Sequence, residues 1–322
     1  MSLALDLLLK IASLFICLLA GFLTVKLKAL KAEMGRTLSV LLLYVFVPCS
    51  VLGAFQVENT PEVRSNLLLA FIAAFAAQTV LMLLGGAVKK RILPDVTERM
   101  STVYSNAGNI IIPLIEAALG GQYVIYTVAF ISVQLFFLWT HCRSCMEGNT
   151  GGGISRKNRL LAAGKKVLLT PAIIAIFIGI ILFLTGTALP GFVKDGVSMM
   201  GGLIGPVSMI IIGMLLGGMD LKKLFTYKRV WLTAAFRLLV FPVFTLLLFA
   251  LCGRLLPVGE SRKVLYIVFL ATASPAASTV TNMSQLYGRD ADYAGVISIV
   301  TTVLCIVTMP LLSLVYTALG GL

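Results

Sequence analysis

Charge is the first scarcity: Asp, Glu, Lys and Arg make up only 12% of the 322 residues, against 59% hydrophobic residues. With a mean hydropathy of +1.02, a water-soluble fold of ordinary composition is excluded. Histidine is scarcer still, His141 being the only one. No Ser/His/Asp arrangement, H-E-x-x-H motif or phosphate-binding loop occurs, so enzymatic chemistry has no basis and no cofactor is implied. The six cysteines, at 17, 49, 142, 145, 252 and 305, fall mostly within apolar runs and outline no disulfide framework. His141, Cys142 and Cys145 of "HCRSC" contain a C-x-x-C, but a structural zinc site needs four ligands and this loop supplies no fourth. Aspartate is missing from the middle of every span, which weakens the case for a dedicated sodium site, although carbonyls and hydroxyls alone could build one.

What is abundant is apolar sequence in runs of membrane-spanning length, about 20 residues each. Ten spans are expected, at 3–25, 35–55, 66–88, 99–119, 122–140, 168–187, 199–218, 230–252, 263–287 and 291–318. Asp6 and Lys10 lie inside the first run and no small-residue cleavage pattern follows Gly21, so it reads as a span rather than a signal peptide. The net charge of +13 is unevenly spread, with 19 basic residues in the odd-numbered loops and five in the even-numbered ones. By the positive-inside rule the odd loops are cytoplasmic and both termini lie outside. The basic excess is thus a topology signal, and nucleic acid is not an expected partner.

Residues 1–140 form a first five-span unit, 141–167 a basic cytoplasmic linker containing "EGNTGGGISRKN", and 168–322 a second five-span unit. A shift of 168 carries the first set of spans approximately onto the second. An odd number of spans forces the second copy to enter the membrane the other way round, which is the inverted-repeat pattern of secondary transporters. Their sites form where corresponding helices of the two halves are broken. "SNAGNIIIPLIEAALG", Ser105 to Gly120, and "ATASPAASTVTNMSQLYG", Ala271 to Gly288, each place proline and polar residues inside a span. In hydrocarbon such a break survives only within protein or beside a water-filled cavity. The outer half of span 4 is expected to restart near Pro113, and the inner half of span 9 at Pro275 with Ser274 as its cap. The two half-helices would then aim unpaired N–H groups at an anion, with Asn106, Asn109, Thr279 and Asn282 supplying hydrogen bonds. Prolines also simply kink spans, and Pro48, Pro206, Pro242 and Pro310 are read that way.

Along nearly its whole length the chain resembles the auxin efflux carrier family of bacterial and plant transporters. The resemblance rests on "AGFLTVKLKAL", "LSVLLLYVFVPCSVLGAF", "SNAGNIIIPLIEAALG", "TPAIIAIFIGI", "GPVSMIIIGMLLGG", the Arg237 and Pro242 pair, and "ASPAASTVTNMSQLYGRD", in that order. It implies an all-α fold of the sodium/proton antiporter type: ten transmembrane helices in two inverted five-helix repeats, with broken helices 4 and 9 crossing at their prolines. Asn106 and Pro113 match one crossover, and Pro275 the other. The resemblance also implies a scaffold of spans 1, 2, 6 and 7, often a homodimer interface, and a moving domain of spans 3–5 and 8–10. Organic anions are the implied substrates, among them indole-3-acetate in plants and dicarboxylates such as malate in bacteria. The long hydrophilic central loop of the larger plant members is absent here.

Four further polar residues call for a role. Arg237, well inside span 8, is costly enough there to be functional. It pairs with substrate or with carbonyls freed at the break, or else snorkels to the surface. Gln134 and Gln78 either line a cavity or join spans together. Glu116, near the outer end of span 4, is either a proton-coupling carboxylate or an entrance residue. The reading is a secondary transporter of small organic anions in the cytoplasmic membrane. The alternatives are a sodium-coupled symporter of the related bile acid type and a membrane sensor that moves nothing.

Overall fold

In the computed structural model, residues 3–89, 91–148, 170–219, 227–256 and 259–320 are described, and among them the only β feature is an isolated bridge between Ser105 and Ala276. The helices are α1 (Leu3–Lys26), α2 (Met34–Ala54), α3 (Pro61–Val88), α4a (Val96–Val103), α4b (Ala107–Ala118) and α5 (Gly121–Glu147). After them come α6 (Pro171–Thr185), α7a (Gly191–Gly201), α7b (Ile204–Gly218), α8 (Arg229–Leu255), α9a (Glu260–Ala273), α9b (Ser278–Leu286) and α10 (Ala291–Ala318). By length and composition, seven stretches can cross a membrane: Leu9–Lys26, α2, α3, α5, Gly191–Gly218, α8 and α10. Two shorter apolar helices, α4b and α6, accompany them.

Several boundaries differ from those read from sequence, each for a local reason. The helix of α5 runs to Glu147, past the expected linker start at 141, through a π-helical turn at Leu138–Cys142 and an Arg143–Glu147 ion pair of 3.5 Å. The rest of that linker, 149–167, and the first two residues expected in span 6, 168–169, lie outside the described residues. In span 7 the helix begins at Gly191, not 199, because Lys194 and Asp195 sit exposed on its first turns. Span 4 begins at Val96, where the Asp95 carboxylate accepts from the Thr97 and Glu98 N–H groups at 2.7 and 3.2 Å.

Two groups of helices pack together. In the first, α1 lies along α7b, while α2 packs on α6 and α7a. The α1–α7b seam brings backbones into contact: a Cβ on Gly213 would collide with the Leu18 carbonyl, and one on Gly21 with that of Ile210. Small residues permit this approach, which drives helix association in lipid, where burial alone does not. In the second group, α3 packs on α5 and α9a, α8 on α9a, and α9b on α10. From this group α4b reaches across to touch α7b and α1.

Candidate functional site

The helix of span 4 ends at Val103 and restarts at Ala107; that of span 9 ends at Ala273 and restarts at Ser278. The extended residues between them run antiparallel. Asn106 N–H donates to the Pro275 carbonyl at 2.8 Å, and Ala277 N–H to the Tyr104 carbonyl at 3.0 Å. Pro275 explains the second break: it cannot donate to Ala271, and it holds Ser274 in an extended conformation at φ −68°, ψ 160°. The Ser274 hydroxyl takes the freed Ala271 carbonyl instead, at 3.1 Å. Ser274 therefore ends α9a rather than capping α9b, which restarts three residues beyond Pro275.

Pro113 is not at the first break, contrary to the sequence expectation. It lies inside α4b, six residues after the restart at Ala107, and the helix passes through it. The carbonyl that a helical proline orphans is that of residue i−4, here Asn109, and the Ser208 hydroxyl of α7b donates to it at 3.0 Å. A tertiary contact thus repairs the defect that was expected to open the helix.

Arg237 projects from a π-helical turn of α8, Phe236–Val240, and is fully buried. Its guanidinium donates to Ser274 O at 2.9 and 2.6 Å, to Thr272 O at 2.7 Å and to Thr102 O at 2.8 Å. Of the readings open from sequence, pairing with the freed carbonyls is the one observed. On the other face, Gln134 of α5 accepts from Ser105 N–H and Oγ–H at 3.0 and 2.7 Å, and its amide donates to Ser105 O at 2.8 Å. From α10, Thr301 Oγ accepts from Ala276 N–H at 3.1 Å, and the Ser298 hydroxyl donates to Ala276 O at 3.4 Å.

The carbonyls of Thr102, Tyr104, Ser105, Ala271, Thr272, Ser274, Pro275 and Ala276 thereby have partners, and the amino ends are treated differently. The surface starts of α3, α4a and α10 carry side-chain caps from Thr60, Asp95 and Asp290. Neither Asn106 at the start of α4b nor Ala277 at the start of α9b makes one. First-turn N–H groups have no intrahelical acceptor, so these two ends present unused donors and the positive poles of their dipoles. Asn106 adds another: it is 6% exposed and its Nδ2 has no partner.

The other expected site residues stand at varied distances. Asn109 and Thr279 are half-buried in the first turns of α4b and α9b, whereas Asn282, one turn further along, is exposed. Glu116 is exposed ten residues beyond Asn106, about 15 Å at 1.5 Å per residue. It lines a cleft of ≈ 370 Å³ together with Ser50, Lys194, Gly201 and Gly202. Gln78 is fully buried in α3 with neither side-chain polar atom bonded. His141 is tied to the break: its Nδ1 lies 2.9 Å from the Tyr104 hydroxyl, which donates to Phe137 O, and its Nε2 lies 3.5 Å from Cys145 Sγ. Cys142 is buried in the core instead.

Some residues that matter escaped the sequence reading. Ser208, Ser298 and Thr301 carry no motif, and their partners are set by tertiary packing. Glu98, 1% exposed, receives Arg229 Nε and Nη2 at 2.6 and 2.7 Å and the Tyr293 hydroxyl at 2.7 Å, joining α4a, α8 and α10. An acid one residue outside the apolar window of span 4 was the available signal. A family model described as membrane transport protein matches residues 6–313. Among curated proteins, no match to the chain was found.

Proposed function

The chain belongs to the membrane transport protein family of the auxin efflux carriers, and on that premise we propose that it is a secondary transporter moving a small organic anion, a mono- or dicarboxylate, by alternating access. The observation that carries this reading is the asymmetry at the paired breaks. Freed carbonyls are taken by Arg237, Gln134, Ser274 and Ser298. Two helix amino ends and the Asn106 amide are left without acceptors, as an anion site requires. Arg237 adds a fixed positive charge whose partners are three carbonyl oxygens and no acid.

The two halves support a repeat of five spans each. The bounds of α3 and α8, Pro61–Val88 and Arg229–Leu255, differ by nearly the same shift as those of α5 and α10, Gly121–Glu147 and Ala291–Ala318. In this proposal α4a with α4b, and α9a with α9b, are the crossed spans that complete a set of ten. The charge bias puts both termini outside and residues 141–167 in the cytoplasm. The group of α1, α2, α6 and α7 is the scaffold, and the remainder is the moving part.

Uptake by the purified protein in sealed vesicles tests the reading. A carboxylate gradient should drive labelled carboxylate across the membrane, and the neutral amide of the same compound should neither be carried nor compete. Equal handling of acid and amide refutes the anion site. A strict need for a sodium gradient would favour the bile acid type of symport, and binding without flux would identify a sensor.

A further inference from the structure

We infer that Pro113 and Gly205, with the Ser208–Asn109 hydrogen bond beside them, form the gate between the Glu116 cleft and the Asn106 amide. The inference rests on the transport reading. Helices α4b and α7b run antiparallel, and their contacts fall in tiers. Glu116 is level with Gly201 and Gly202, where the cleft is open. Three residues before Glu116 on α4b, about 4.5 Å, Pro113 meets Gly205 at the start of α7b so closely that a Cβ added to Gly205 would lie 2.7 Å from Pro113 Cβ. The Leu14 side chain of α1 closes the third side, with its Cδ2 3.1 Å from the same point. One turn further, the Ser208 hydroxyl donates to Asn109 O at 3.0 Å. Another turn along α4b is Asn106, 6% exposed.

The proline therefore does two things at one place. Its ring fills the space that Gly205 leaves, and its missing N–H gives the opposite helix a carbonyl to bond. The seam joins the two helix groups without a charge or a large interlocking side chain at the Pro113–Gly205 contact. At this tier the contact is a small apolar one with a hydrogen bond one turn away, a closure that can open without stranding a buried ion.

Two measurements test the gate. In a variant lacking the six native cysteines, Asn109→Cys with Ser208→Cys should cross-link under mild oxidation, stop transport, and recover with reductant. Each single-cysteine variant should be indifferent to the oxidant. Failure to cross-link, or transport that continues through the cross-link, overturns the gate. The second measurement needs no substrate. An impermeant thiol reagent added from the cleft side should modify Asn106→Cys at least tenfold faster in the Gly205→Ala background, while Glu116→Cys reacts at one rate in both. An unchanged rate at Asn106→Cys overturns the gate. The outcome in which labelling responds as expected but no organic anion is carried would instead remove the anion reading and leave the gate standing.

Discussion

Replacing Asn106 by alanine should weaken transport without weakening the fold. An asparagine at a helix start normally contributes 0.5–2 kcal/mol through its cap, about 1 kcal/mol on average. Here that contribution is missing, because Asn106 makes no side-chain cap bond. Its Nδ2 is instead buried and unpartnered, a state that costs about 1–3 kcal/mol. Truncation removes that cost, so unfolding in a denaturing detergent titration should be unchanged or shifted to higher denaturant. Substrate binding should move the other way. A hydrogen bond to a charged group contributes about 1.5–3 kcal/mol, so the dissociation constant for a carboxylate should rise roughly ten- to a hundredfold. The assays are the detergent titration, and vesicle uptake at limiting substrate. A variant that unfolds more easily by more than about 1 kcal/mol yet transports normally would show that Asn106 is a structural cap, and the argument from its unpaired amide would be wrong.

Arg237→Met should be the most damaging single change at the breaks, since it strands three buried carbonyls at about 1–3 kcal/mol each; Arg237→Lys should recover only part of the loss in the same titration, because one ammonium cannot reproduce the planar fork. Pro275→Ala restores an N–H that competes with the Ser274 hydroxyl for Ala271 O, so turnover should fall severalfold while carboxylate binding in a thermal-shift assay persists. Glu98→Ala removes the acceptor of both Arg229 and Tyr293 and should destabilise the protein by about 1–3 kcal/mol, leaving the acid-over-amide preference intact. For orientation, Glu58→Cys should react with an impermeant thiol reagent on intact cells and Gly148→Cys only after permeabilisation, and the reverse pattern would invert the topology.

The membrane class and the neighbourhood of both breaks were legible in composition and spacing. Arg237 was legible too, since a charge deep in an apolar run has few uses. What could not be read was which proline breaks a helix. Both Pro113 and Pro275 free a carbonyl four residues back. For Pro275 the nearest hydroxyl is its own neighbour, Ser274, and the chain leaves the helix. For Pro113 the hydroxyl comes from Ser208, 99 positions after Asn109 in the chain, and the helix continues. The break at Tyr104–Asn106 holds no proline, and its departure from the helix is supported by Gln134 and by the segment it pairs with. These are long-range contacts with no local signature.

The origin of the clamps limits how the site can move. Arg237 comes from α8, Gln134 from α5, and Thr301 and Ser298 from α10. None of these residues belongs to α1, α2, α6 or α7. Releasing any of them would strand a backbone carbonyl or N–H in a buried setting, at about 1–3 kcal/mol each. On the proposed mechanism the paired breaks should therefore move with α5, α8 and α10 as one body. Across the boundary with α7b, by contrast, Ser208 also has the carbonyl of Gly205 in its own helix at 3.0 Å. When it lets go of Asn109, its hydroxyl keeps a partner, and only the carbonyl of half-buried Asn109 is left to find water. In alternating access, motion should thus fall on the boundary that α4b and α10 make with α7b and α1, the α4b–α7b seam included, with the geometry around Asn106 preserved on both sides of the membrane.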